Sequence, residues 1–236
     1  MIHSFETVSV LALGFGLGVK HSIEADHLAA VSTIISERKS VWRASLVGGI
    51  WGIGHTCALL AAGTAVVLLH LRIDEHVAQF LEFCVAVMLM VLGANVVRKV
   101  LHGGILHIHM HRHGCHQHVH LHTHAVRNHS ANSSTHHDVQ FIARPLIVGL
   151  VHGMAGSAAL MLLVLSIIPS DAIAVAFIVL FGVGSIGGMM LMSAVMSMPL
   201  RFISNRFEHA QLTMHCLAGF LSFGLGLLMA YQWLRG

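Results

Sequence analysis

Apolar residues fill this chain in long runs, and its polar residues collect in the gaps between them. Stretches near 5–35, 43–70, 77–101, 144–168, 172–198 and 212–234 are each long enough to cross a bilayer, which takes about 20 apolar residues per helix. The pattern predicts an all-α integral membrane protein with six transmembrane helices. The first run departs from the others, because it is long and carries charged residues in its middle. It is expected to be kinked or partly unwound there.

Composition agrees with that class. The chain is 56% hydrophobic and 10% charged, whereas a soluble domain carries about 25% charged residues. The opening Met-Ile-His-Ser-Phe-Glu lacks a basic start, so the first run is read as a span rather than a signal peptide. Lys and Arg then set the orientation. The connections after spans 1, 3 and 5 hold Arg38, Lys39, Arg43, Arg98, Lys99, Arg112, Arg127, Arg144, Arg201 and Arg206, and the opposite side holds only Arg72 and Arg235. Positive residues stay in the cytoplasm, so both termini are expected outside an inner (cell) membrane and the long central loop inside it.

Two halves echo each other. Gly18-Val-Lys-His21 in span 1 matches Gly149-Leu-Val-His152 in span 4, and spans 2 and 5 both carry glycine-rich stretches, Gly48–Gly54 and Gly182–Gly188. Three spans per half would give two inverted three-helix repeats, 1–101 and 144–236, joined by a loop over 102–143. Glycine is common in packed membrane helices for its own sake, so the echo alone is a weak signal.

That loop is unusual. Thirteen histidines fall within 102–137, and its centre places His107, His109, His111, His113, Cys115, His116, His118, His120, His122 and His124 close together. The tract has no apolar face to bury, so it is expected to be disordered without metal. Imidazoles with one thiol are ligands for Ni, Cu, Zn or Co ions. Cys57, Cys84 and Cys216 fall within spans and read as small packing residues.

The most specific chemistry lies in span 1, where His21, Glu24, Asp26 and His27 form a His-x4-Asp-His pattern inside apolar sequence. Each ionisable group at membrane depth costs about 2.5–3.5 kcal/mol on insertion scales, so the cluster needs partners, water or an ion. On a straight helix with about 100° per residue, His21, Glu24 and His27 share one face and Asp26 points away. Either Asp26 orients a histidine of another helix from outside the ligand shell, or the helix is distorted near Gly14, Gly16 and Gly18. His55 in span 2 and His152 in span 4 are the other candidate ligands, each alternatively a histidine bonded within the core. Met154, Met189, Met190 and Met192 read as helix filler rather than soft ligands.

His21-Ser-Ile-Glu-Ala-Asp26-His27 resembles the signature of the nickel/cobalt transporter family of single-component permeases, and Gly54-His55-Thr56 resembles that family's Gly-His-Ser/Thr motif. The resemblance implies that His21, Asp26 and His27 select and move Ni(II) or Co(II), with His55 nearby. It implies a shorter six-span branch, similar to urease-associated and exporter-type members, because the acidic second-half stretch of the longer permeases is replaced by His152-Gly-Met-Ala-Gly-Ser157. Lys20 and Glu24 also stand where the family usually has Arg and Asp.

The expected function is transport of a divalent ion, Ni(II) or Co(II), through a midplane site of His21, Glu24, Asp26, His27, His55 and His152, with uptake placed ahead of efflux. The alternative is a membrane metallochaperone or assembly factor for a nickel enzyme. The ion is cargo and no organic cofactor is expected. No Gly-x4-Gly-Lys-Ser/Thr phosphate loop or His-Glu-x-x-His motif occurs, so neither ATP hydrolysis nor metalloprotease chemistry is expected. Expected partners are the lipid bilayer and a cytoplasmic metallochaperone or nickel-enzyme assembly protein, with no nucleic acid.

Overall fold

A computed structural model of the chain describes residues 2–35, 40–69, 74–101, 107–113, 116–122, 134–155, 168, 170–204 and 208–235. Among them are seven helices and one hairpin: α1 (Ile2–His21), α2 (Ala25–Ile35), α3 (Val41–Leu68), α4 (Glu75–Leu101), β1 (His107–His113), β2 (His116–His122), α5 (Ser134–Ala155), α6 (Asp171–Ser204) and α7 (Glu208–Arg235). Helix ends follow local charge. Glu75 and Asp171 sit in the first turns of α4 and α6, and Arg98 and Lys99 in the last turn of α4, where they complement the helix dipole.

Four segments, Val41–Leu68, Glu75–Val100, Asp171–Pro199 and Thr213–Arg235, are long and apolar enough to cross a membrane. Shorter apolar helices run over Thr7–His21, Ala25–Ile35 and Ile142–Met154. The protein is therefore a multi-pass helical membrane protein. The expected first span is two helices with a break between them. The expected fourth is described only to Ala155, and the rest of that stretch up to 167 lies outside the described residues.

The helix α3 lies between α5 and α6, α1 packs on α6, and α4 packs on α7. One apolar cluster joins Ala29, Ala30, Val31 and Ile35 of α2 to Val47 and Trp51 of α3, Val85 and Leu89 of α4, and Met189 of α6. Large apolar residues such as Leu191, Leu217, Phe220 and Leu227 face outward. An outward apolar surface is costly in water and suits lipid.

Glycines set how closely the helices approach. Gly18 of α1 lies against Phe181 and Ser185 of α6, and Gly149 of α5 lies against Trp51 and His55 of α3. Gly54 of α3 meets Leu146 and Leu150 of α5, and Gly184 of α6 meets Phe15 and Val19 of α1. Gly14 beside Phe177 and Gly188 beside Ser22 make α1 parallel to α6, and Gly149 beside Trp51 with Gly153 beside His55 make α3 parallel to α5. Gly52 beside Ile186 and Gly182 beside Thr56 make α3 and α6 antiparallel.

Two stretches of the central loop, 107–113 and 116–122, are described. β1 and β2 pair antiparallel, with His107 opposite His122, His109 opposite His120, His111 opposite His118 and His113 opposite His116. The physical reason is the alternation of histidine with other residues, a period of two that matches a strand. Cys115 and His124 lie outside the described residues.

Candidate metal centre

The break in the first span positions the site. Ser22 N–H still reaches Gly18 O at 3.2 Å, but Ile23 and Glu24 bond only three residues back, to Lys20 O at 3.0 Å and His21 O at 3.1 Å. That tightening ends α1, and Leu28 N–H to Glu24 O, at 3.0 Å, starts α2. The break lies downstream of Gly14 and Gly18. Those glycines stay helical and seat α1 against α6, so they are packing residues rather than the cause of the distortion.

Restarting the helix changes the angular relation between its two halves. Asp26, which a straight helix would turn away, falls in the first turn of α2 and points into the same cluster as His27. Its Oδ1 accepts from the His27 backbone N–H at 2.9 Å and from His27 Nδ1 at 3.1 Å, while Oδ2 accepts from His152 Nε2 at 2.9 Å. Glu24 Oε2 accepts from His21 Nδ1 at 2.9 Å. The helix is broken, and Asp26 bonds a histidine of another helix.

All four histidines are buried, at 0% exposure for His27, His55 and His152 and 4% for His21. Their ring centroids lie close together: 4.1 Å for His27 and His152, 4.5 Å for His21 and His27, 5.2 Å for His21 and His55, and 5.4 Å for His27 and His55. An ionised carboxylate can only accept a hydrogen bond, so each nitrogen it touches carries a proton, and in the neutral ring the opposite nitrogen keeps a lone pair. That assignment leaves His21 Nε2, His27 Nε2 and His152 Nδ1 as acceptors. None of these has a hydrogen-bond partner among the described residues, and neither does either nitrogen of His55.

A buried polar atom without a partner costs about 1–3 kcal/mol, so five imidazole nitrogens in one pocket require an explanation. Donor atoms of His21, His27 and His55 lie within 4.8 Å of one another, as do those of Asp26, His27 and His152. Each ring of the first group keeps at least one nitrogen without a partner among the described residues, whereas the Asp26 oxygens in the second are already bonded to its own histidines. Glu24 and Asp26 hold three rings in the tautomer that presents a lone pair, an arrangement common behind metal-bound histidines.

Two aromatic residues not anticipated from the sequence complete the cluster. Trp51 packs on His27 at 5.2 Å and His152 at 5.6 Å, and Phe181 on His21 at 5.5 Å. Trp51 lies one helical turn before His55, a spacing that could have marked it; nothing in the sequence marks Phe181. His215 is buried in α7. Met189 is part of the apolar core. Cys57 is exposed, and Cys84 and Cys216 are free thiols. The strand residues His107, His109, His111, His113, His116, His118, His120 and His122 are described by backbone register alone.

Sequence comparison identifies two relatives. The chain is 32% identical over 230 residues, 96% of its length, to a urease accessory protein, UreH, of Bacillus sp. (strain TB-90), covering 92% of that protein. It is 28% identical over 71 residues, 30% of its length, to a high-affinity nickel transport protein of Cupriavidus necator, covering 20% of it. No protein-family model matches the chain. No solved structure matches it.

Proposed function

The chain belongs to the nickel/cobalt transporter family of membrane proteins, as a relative of UreH, and on that premise we propose that it carries Ni(II) across the membrane through the buried histidine cluster. Its role is nickel transport or supply of a urease-type enzyme. The observation that supports the site is that ring nitrogens of His21, His27 and His55 lie within 4.8 Å of one another, in three buried rings that each keep a nitrogen without a hydrogen-bond partner among the described residues. These three are the ligands. Asp26 orients His27 and His152, Glu24 orients His21, and His152 stands beside the ion as the fourth ligand available on rearrangement.

Charge supports a divalent cargo. The carboxylates of Glu24 and Asp26 bond the buried rings, and a divalent cation held by those rings offsets their charge. Imidazole suits nickel, cobalt and zinc alike, so the preference for nickel over cobalt rests on the named relatives. Uptake serving a nickel enzyme is the reading closest to UreH, with efflux as its opposite. The central histidines hold nickel near the cytoplasmic face, for a metallochaperone or assembly protein to collect.

The contacts between helices support two inverted repeats and six crossings. Exchanging α1 with α5 and α3 with α6 maps Gly18 onto Gly149, Phe181 onto Trp51, Ser185 onto His55 and Gly54 onto Gly184, at one constant sequence offset per helix pair, and carries each glycine's neighbours with it. The same exchange maps His21 onto His152. In this arrangement both termini lie on one side and the histidine loop on the other, which the loop charges make the cytoplasm.

Accumulation of ⁶³Ni in cells expressing the protein tests the proposal. Flux in either direction should disappear with His21→Ala or His27→Ala and survive replacement of residues 102–133 by a short Gly/Ser linker. The reverse pattern would make the membrane helices an anchor for a loop chaperone.

A further inference from the structure

The transport reading leaves open how the buried histidines are reached from one side at a time. Trp51 and Phe181 are both almost fully buried, at 1% and 3% exposure. Each packs its ring on the histidine cluster, Trp51 on His27 and His152 and Phe181 on His21. Neither is placed to ligate an ion, and the Trp51 indole nitrogen has no hydrogen-bond partner among the described residues. A donor left unengaged against the cluster is not there to hold the ring in place by hydrogen bonding.

Their positions are related. Gly18 lies against Phe181 exactly as one would expect from the way Gly149 lies against Trp51, so the two aromatics occupy equivalent places in the two halves. Because α3 and α6 run antiparallel, with Gly52 beside Ile186 and Thr56 beside Gly182, equivalence puts them at different depths. About six residues of helix separate their levels, or roughly 9 Å at 1.5 Å per residue, and His55 lies between. One ring closes the cluster toward the α3 N-terminus, the other toward the α3 C-terminus.

We propose that Trp51 and Phe181 are the two gates of the ion path, symmetry-related plugs that close the histidine cluster from opposite faces of the membrane. This inference rests on the transport reading above. Alternating access requires barriers on both sides of a central site, only one of which opens at a time, and an inverted pair of like side chains supplies them. In the state described, both rings are seated against the cluster. Withdrawing Trp51 opens the cluster along the ends of α3 and α5 that begin on the loop side, and withdrawing Phe181 opens it along α1 and α6 from the side of the termini.

The test uses the full chain with Cys57, Cys84, Cys115 and Cys216 changed to Ser and Ser185→Cys as reporter. Ser185 is buried, bonds Gly18 O at 3.3 Å and lies one turn from Phe181, between the two levels. A membrane-impermeant methanethiosulfonate is applied to intact cells and to inside-out vesicles. Phe181→Ala should raise labelling at least tenfold from one face, and Trp51→Ala by a similar factor from the other. Trp51→Leu and Phe181→Leu, which shorten each plug but keep it apolar, should show the same sidedness in smaller measure. Equal labelling from both faces, an increase from the same face in both variants, or no increase in any variant overturns the proposal. Equilibrium ⁶³Ni binding, measured in parallel, separates the two claims: a wild-type protein that binds no nickel refutes the transport reading, while the labelling still judges the gates.

Discussion

Replacing His55 by Leu separates a metal site from a structural histidine cluster. In the metal-free protein both nitrogens of the buried His55 ring lack hydrogen-bond partners among the described residues. Each such atom costs about 1–3 kcal/mol, and Leu fills a similar volume with a repacking cost below about 1.5 kcal/mol. His55→Leu should therefore leave the metal-free fold unchanged or stabilise it by up to about 2 kcal/mol. His152→Leu should behave in the opposite way. It removes the 2.9 Å donor to Asp26 Oδ2, a hydrogen bond to a charged group worth about 1.5–3 kcal/mol. The assay is thermal unfolding of detergent-solubilised protein with and without Ni(II). At a concentration 100 times the dissociation constant, a ligand bound only by the folded state adds about 2.7 kcal/mol. Wild type should show that shift and His55→Leu should lose it. Equal destabilisation of the metal-free protein by both substitutions, or an intact nickel shift in His55→Leu, refutes the reasoning.

Asp26→Asn should weaken equilibrium nickel binding about 10–100-fold, the usual effect of removing a carboxylate behind a ligating histidine, as read by ⁶³Ni dialysis. Gly149→Ala should lower stability by about 1–3 kcal/mol through overpacking, because its Cβ would lie 2.7 Å from Trp51 Cδ1 and 2.9 Å from His55 N. Gly16→Ala, whose Cβ meets nothing within 4 Å, should instead be neutral or stabilising by about 0.5–1 kcal/mol, and thermal scans compare the two. Lowering the pH from 7 to 5 should weaken nickel binding, because ligating imidazoles must be neutral and protons compete for them; dialysis at each pH reads the loss.

The sequence carried the class of the protein because apolar run length is a local property. Six runs were legible, and four of them return as helices long enough to cross a membrane. It also carried the ligand types, since His21, Asp26, His27, His55 and His152 are conspicuous in apolar surroundings. Those five residues do come together.

What tertiary structure decided was the direction in which each group points and what it faces. Whether Asp26 reaches the cluster depends on three residues between α1 and α2 giving up regular helix, and periodicity assumes a regular helix. Which ring nitrogens stay unengaged depends on Glu24 in the break and Asp26 in α2, and the pairing of Trp51 with Phe181 depends on an antiparallel contact between α3 and α6. Sequence names the residues because composition and local spacing are written along the chain. Their shared pocket exists only where distant helices meet, closely enough that glycine is required at the contact.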